Sequence, residues 1–311
     1  MPDFTDLNSG NDHKYGGNRG FLYFAGCRFW TASLLPALAG TFLPFWLRPP
    51  HFSFRWAGAI ELLLAAVLLH SGFSFLLARI EGHATATWPG SRLLRHAGAS
   101  LALACLLGLH LNSRLTLHPG VSQGIFILYG ISAICAGVLY VAPPFRFYRR
   151  AGGEIVIAEG LGMIPVLGAY LVQVGDITRR VYLASLPLVA VTGLWVWMDE
   201  LASRMDDEEA GRRTLVMEFG PSFSGRFGVF ALVLLFVAAL SFAVASSSLP
   251  QVALIALLPA GAGWRIAAVS WKEHLNLKRM SAMRALAFRL HLAAGVIIAA
   301  SPLLPRLMPR I

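Results

Sequence analysis

The sequence predicts an all-α membrane protein with nine transmembrane helices. Three observations carry that reading. Hydrophobic residues make up 56% of the chain and charged residues only 14%, with a mean hydropathy of +0.63; a soluble domain is about 25% charged. The apolar residues gather into runs of roughly twenty, the length that carries a helix across the hydrocarbon core. Ordinary helix punctuation separates the runs: Arg48-Pro49-Pro50, His118-Pro119-Gly120, Pro143-Pro144, Gly220-Pro221 and Leu249-Pro250.

The predicted spans, in order, cover residues 21–46, 57–78, 97–112, 121–142, 154–174, 181–201, 224–246, 251–270 and 286–304. The third is the shortest and ends at Asn112. Residues 1–20 are polar and rich in Gly and Asn, and they lack the apolar centre of a signal peptide. They are expected to form a flexible cytoplasmic tail, with 21–311 as the nine-helix transmembrane domain and the first helix an uncleaved anchor. Cys27, Cys105 and Cys135 all fall inside apolar runs with no paired spacing, so they are expected to be small core residues. Small residues recur inside the spans, among them Gly130, Gly137, Gly160, Gly162 and Gly168, where they allow helices to approach closely.

The pI near 10.2 does not point to nucleic acid, because the basic residues are scattered through short connections rather than gathered on one polar face. They orient the chain instead. With the N-terminus inside, the inner loops hold Arg79, Arg92, Arg95, Arg146, Arg149, Arg150, Arg204, Arg212, Arg213, Arg226, Lys272, Lys278, Arg279 and Arg284. The outer side holds only Arg48, Arg55, Arg114, Arg179, Arg180, Arg306 and Arg310. Positive residues concentrate on the cytoplasmic side of membrane proteins. The chain is therefore expected in a cell inner membrane, with a cytoplasmic N-terminus.

One stretch breaks the pattern. MDELASRMDDEEAGRRTL, from Met198 to Leu215, holds six of the sixteen acidic residues, at the cytoplasmic end of the sixth span. If the sixth helix continues, Asp199, Ser203 and Asp207 share one face, with Asp206 beside it. Carboxylates so placed can hold Mg²⁺, which completes its octahedron with substrate phosphate oxygens. A solvated helix end is the alternative reading of the same spacing.

The stretch ending DDEEAGRRTLVMEFG resembles the second acidic motif of the UbiA superfamily of intramembrane prenyltransferases. The segment YVAPPFRFYRRAGGEIVIAEGLGMIPVLGAYLVQVG (140–175) is similar to the same superfamily, and closest to its menaquinone-type branch. RFWTASLLPALAGTFL (28–43) resembles its first helix. The resemblance implies a nine-helix bundle around a central cavity that transfers an isoprenoid chain from its diphosphate to an aromatic or quinone-type acceptor. Acidic motifs after the second and sixth helices would hold Mg²⁺ on the diphosphate. It further implies Asp199 and Asp207 as catalytic residues, and Asp199, Asp206 and Asp207 as metal ligands. The substrate-binding set it implies is His70, Ser71, Ser74, Tyr140, Arg146, Arg149, Glu159, Ser203, Arg212 and Arg213. Glu159 is expected to line the cavity, because acids at membrane depth face cavities.

The sequence also departs from that pattern. LHSGFSFLLARIEGH aligns His70 with the first motif's Asn, and Ser71, Ser74 and Ala78 with its aspartates. In the second motif Ser203 replaces the first aspartate and only Asp207 keeps its register. Serine is a neutral, weak ligand for a divalent ion, so the Mg²⁺ expectation stands against its own residues. Glu81, with His83 near it, is the closest substitute acid. The alternative function is therefore a repurposed or non-catalytic relative that binds a prenyl lipid or quinone without metal chemistry. A transporter is disfavoured, because the intramembrane acids lack the paired, broken-helix layout of an ion-coupled site.

Overall fold

Inside a bilayer there is no water to bond backbone amides, so an apolar chain satisfies them within helices. The computed structural model describes residues 17–50, 52–115 and 123–304, and every regular element among them is helical. The first span is segmented into α1 (Gly17–Phe24), α2 (Thr31–Phe42) and α3 (Pro44–Leu47). The next three are α4 (Trp56–Ile80), α5 (Gly90–Leu115) and α6 (Gln123–Val141). The fifth breaks into α7 (Gly153–Gly162) and α8 (Ile164–Val174). The sixth is α9 (Arg179–Glu209). Short helices α10 (Leu215–Phe219) and α11 (Pro221–Phe223) lead through a π-helical turn into α12 (Val229–Ala245). A 3₁₀ stretch precedes α13 (Ala260–Glu273), and α14 (Leu277–Ala300) follows.

Among the described residues, eight helical segments are long and apolar enough to cross a membrane, and Thr31–Leu47 is a shorter apolar one. The nine-span expectation corresponds to these eight plus the segmented first span. Boundaries differ for physical reasons. Residues 1–16 of the predicted tail lie outside the described residues, while Gly17–Gly20 already belong to α1. The third span starts at Gly90 rather than 97, because long basic side chains extend their charge out of the helix end; the Arg92 guanidinium sits 4.2 Å from the Trp88 ring centre. The ninth starts at Leu277, where the Asn276 side chain accepts from the Arg279 amide at 3.1 Å and caps the helix. The fifth breaks before Pro165, whose missing N–H suits a helix start.

The α9 helix is the hub. It packs against α12 and α14 on one side and α7 on the other, while α4 pairs with α5 and α2 with α8. Leu188, Val191, Leu194, Met198 and Leu201 of α9 are buried in one core with Val233, Phe236 and Leu240 of α12 and Met280 and Leu290 of α14. Gly40 and Gly162 place backbone on backbone, against Val166 and Val189, where a Cβ would collide. Leu103, Leu106, Leu128, Leu235 and Phe242 are exposed around the perimeter, as lipid-facing side chains are. Contrary to the core expectation, Cys105 and Cys135 are exposed, and Cys105 borders the cavity.

That cavity, about 480 Å³, is lined by α2 and α4 through α9. Gly130 and Gly160 line it and have open space where a side chain would stand, so they leave room rather than pack helices.

Candidate intramembrane site

The cavity is apolar along most of its length, with Leu62, Phe73, Leu109, Phe126, Ile134 and Trp195 among its walls. Its polar groups include Ser33, His70 and Ser74 on one side and Tyr140, Asp199 and Glu200 on another. Two helix ends frame it: the C-terminal half of α4 and that of α9.

On α4, the residues at the expected aspartate positions are turned to structural use. The Trp30 indole N–H donates to Ser71 Oγ at 3.0 Å and to the Ala25 carbonyl at 3.1 Å. His70 Nδ1 and Ser33 Oγ are hydrogen-bonded at 3.0 Å. Ser74 sits against Gly26, whose φ of +67° only glycine adopts freely, and a Cβ there would strike the Ser74 hydroxyl. Ala78 is fully buried. The segment between α1 and α2 thus lies on this face of α4.

The α9 helix runs on to Glu209, so Asp199, Ser203 and Asp207 do share a face. Ser203 Oγ donates to Asp207 Oδ2 at 3.0 Å and to the Asp199 carbonyl at 3.0 Å. Asp207 is buried, whereas Asp206, Glu208 and Glu209 are exposed. Asp199 Oδ1 accepts from Arg284 of α14 at 3.4 Å.

Arg212 joins the two sides. Its guanidinium donates to Asp207 Oδ1 at 2.8 Å and to Glu81 Oε1 at the end of α4. Glu81 and Asp207 side chains are 5% and 4% exposed and Arg212 is 18% exposed, so this is a buried three-member ion bridge. His83 Nε2 lies 3.2 Å from the other Glu81 oxygen. Burial raises the Glu81 carboxyl, but the His83 hydrogen bond and the charge of Arg212 outweigh it and hold Glu81 below its ordinary value. Burial lowers Arg212, and its two carboxylates more than restore it, leaving it above its ordinary value.

The loops behind are tied to this bridge. Glu154 accepts the backbone N–H groups of Gly152, at 3.0 Å, and of Leu215. The Arg213 amide donates to the Arg149 carbonyl at 2.8 Å, and Arg149 Nη2 donates to the Ala210 carbonyl at 3.0 Å. Tyr148 lies under the Arg149 and Arg212 guanidiniums, each 5.8 Å from its ring centre. Arg146 and Arg149 each keep a buried Nε without a partner among the described residues. Arg213 is exposed.

The profile of the UbiA prenyltransferase family matches residues 89–293, well over half of the chain. The chain belongs to the UbiA prenyltransferase family. Relatives include UbiA prenyltransferase domain-containing protein 1 of Mus musculus, 26% identical over 60% of this chain and 62% of that protein. The Homo sapiens protein of that name is 27% identical over 33% of this chain and 37% of that protein. The matches thus span less than two thirds of these relatives. Among solved structures, a UbiA homolog from Aeropyrum pernix K1 is similar with TM-score 0.62 at 20% identity, covering 90% of this chain and 98% of that one. A UbiA homolog from Archaeoglobus fulgidus bound to GPP and Mg²⁺ gives TM-score 0.61 at 15% identity, over 90% and 99%. These structures share the UbiA fold.

The residues of this UbiA family member do not fit Mg²⁺. Among the described residues no three His, Cys, Asp or Glu side chains gather into a metal-binding group. The expected ligands Asp199, Asp206 and Asp207 separate: Arg284 contacts the first, the second is exposed on the polar side of α9, and Arg212 holds the third. A divalent ion between the two helix ends would meet the Arg212 charge. A second correction concerns Glu159, which is exposed and off the cavity wall. Val156, Ile157, Gly160 and Leu161 take the inward face of α7 and leave Glu159 on the far side.

Glu200 is the functional candidate that sequence reasoning passed over. It follows Val196 by one helical turn, so both reach the cavity. Its signal was its place beside Asp199 on α9. The Glu81–Arg212 contact crosses 131 positions of sequence and had no local signal.

Proposed function

We propose that this UbiA family protein binds an isoprenoid lipid of the quinone or prenol class in its intramembrane cavity and does not run magnesium-dependent prenyl transfer. The observation that carries this reading is Arg212 bridging Glu81 and Asp207. The resemblance calls for carboxylates from both helix ends to share metal ions on a diphosphate. Here an organic cation already neutralises the acids from both ends, and the intervening positions are Ser71, Ser74, Ala78 and Ser203. A guanidinium cannot present the compact divalent charge that assists departure of a diphosphate. The long apolar cavity suits an isoprenoid chain, and the loop charges suit a cytoplasmic N-terminus with the polar end of the cavity toward the cytoplasmic leaflet.

A second reading keeps prenyl transfer to an aromatic acceptor, with arginines binding the diphosphate directly. The buried Nε donors of Arg146 and Arg149 favour it, since guanidinium matches phosphate geometry without a metal.

Prenyl transfer from geranylgeranyl diphosphate to an aromatic acceptor, measured in nanodiscs with Mg²⁺ and with a chelator, separates the two. The expected result is no chelator-sensitive turnover, together with an isoprenoid lipid recovered by extraction of the purified protein. Robust turnover abolished by the chelator would replace this reading with a plain prenyltransferase.

A further inference from the structure

The polar end of the cavity holds acid but no cation. Asp199 and Glu200 line it, and no lining residue is Lys or Arg. Asp199 is contacted by Arg284. Glu200 is not: it makes no ion pair among the described residues, and its Oε2 is buried without a hydrogen-bond partner. The group beside it is another acid, Glu154, which hydrogen-bonds the Glu200 carboxyl and leaves Oε2 as its unpartnered oxygen. Glu154 also accepts backbone N–H groups on both its oxygens, from Gly152 and Leu215, which holds it in place beside Glu200. Tyr140 completes the surroundings, lining the same end of the cavity within the field of Glu200, Arg212 and Glu154.

A buried carboxyl oxygen without a partner is costly, and a ligand that donates a hydrogen bond to it removes that cost. A diphosphate offers only acceptors and negative charge, and here it would face Asp199, Glu200 and Glu154 with no lining cation to compensate. We infer that Glu200 is a headgroup-recognition residue that accepts a hydrogen bond from the hydroxyl of an isoprenoid lipid and discriminates against the corresponding diphosphate. The chemistry is a hydroxyl donor at the end of an isoprenoid chain or on its ring, and it has two sources, a prenyl alcohol and a quinol. This inference rests on the isoprenoid-binding reading above and adds the headgroup to it.

The test uses the full-length protein in nanodiscs and four probes: geranylgeraniol, geranylgeranyl diphosphate, menaquinol and the hydrocarbon squalene. Wild type, Glu200→Leu and Glu200→Gln are compared, with thermal melting to verify that each is folded. The expected pattern is that wild type prefers a hydroxyl lipid to the diphosphate by about tenfold or more, the effect of a well-made buried hydrogen bond. Glu200→Leu abolishes that preference and leaves squalene affinity unchanged. Glu200→Gln, which keeps a carbonyl acceptor, retains most of it. Whichever of geranylgeraniol and menaquinol binds more tightly identifies the source.

Equal or tighter binding of the diphosphate by wild type overturns the inference while leaving isoprenoid binding intact. So does an unchanged hydroxyl preference in a folded Glu200→Leu protein. If none of the four probes binds a folded wild-type protein, the isoprenoid reading itself fails, and the headgroup assignment falls with it.

Discussion

The C-terminal ends of α4 and α9 face each other near the same cavity, and they handle charge in opposite ways. On α4, Ser71, Ser74 and His70 are small or neutral groups engaged by Trp30, Gly26 and Ser33, so that end has become packing. The α9 end keeps its acids, and side chains now answer the charge: Arg284 for Asp199 and Arg212 for Asp207. A buried acid such as Asp207 on the α9 end has a charge that the neutral α4 positions leave unanswered. Arg212 answers it and also reaches Glu81, one turn past Ala78. The contrast teaches that retained acidic residues are not evidence of a retained metal site until their partners are known.

The contrast breaks most visibly at Arg212. Arg212→Ala strands two buried carboxylates, and removing one member of a buried ion pair costs about 3–5 kcal/mol. The expected outcome is a large drop in melting temperature, with Arg213→Ala, at an exposed position, close to wild type. Similar melting of the two variants would show that the bridge carries no stability.

Asp207 sharpens the same point within α9. Asp207→Asn weakens its bonds to Arg212 and Ser203 and should cost roughly 1–3 kcal/mol, whereas Glu208→Gln and Glu209→Gln should stay within about 0.5 kcal/mol. Equal tolerance at all three positions would restore the reading of a solvated helix end.

Acid should dissolve the bridge from the α4 side. The folded Glu81 carboxyl lies below its ordinary value of 4.5, so the unfolded chain takes up its proton first. Its contribution is complete above that value and is lost as pH falls through the lower, folded one. Melting curves of wild type and Glu81→Gln should therefore differ near neutral pH and converge on acidification. A gap that persists at low pH would mean that Glu81 is not held as a carboxylate.

The smallest effect belongs to the packed half of α4. Ser71→Ala removes one acceptor from Trp30, whose indole keeps the Ala25 carbonyl, so the cost should be below about 1 kcal/mol. A cost comparable to that of Arg212→Ala would show that the α4 end is not mere packing.

Much of this was legible beforehand. Apolar run length and punctuation located the spans, because bilayer thickness leaves little freedom. The motif register located Ser71, Ser74, Ser203 and Asp207, and the helical repeat put Ser203 and Asp207 in contact. The rest depends on tertiary geometry. Segmentation of the first span follows from Gly26 seating on Ser74, a contact with no local signature. Glu159 was misplaced because an acid within a span says nothing about which face it takes, while Glu200 was hidden beside a better-matched neighbour. The Arg212–Glu81 pairing joins loops far apart in sequence, and loop arginines read equally well as topology signals.

The most direct test of the central claim is a titration of the purified full-length protein in nanodiscs with Mn²⁺, in the presence of a non-hydrolysable prenyl thiodiphosphate, following bound ion by electron paramagnetic resonance. With Arg212 between Glu81 and Asp207, the free-ion signal should track that of empty nanodiscs throughout. Stoichiometric loss of the free-ion signal, reversed by Asp207→Asn, would show that the acids of α9 still hold a metal and would contradict the account.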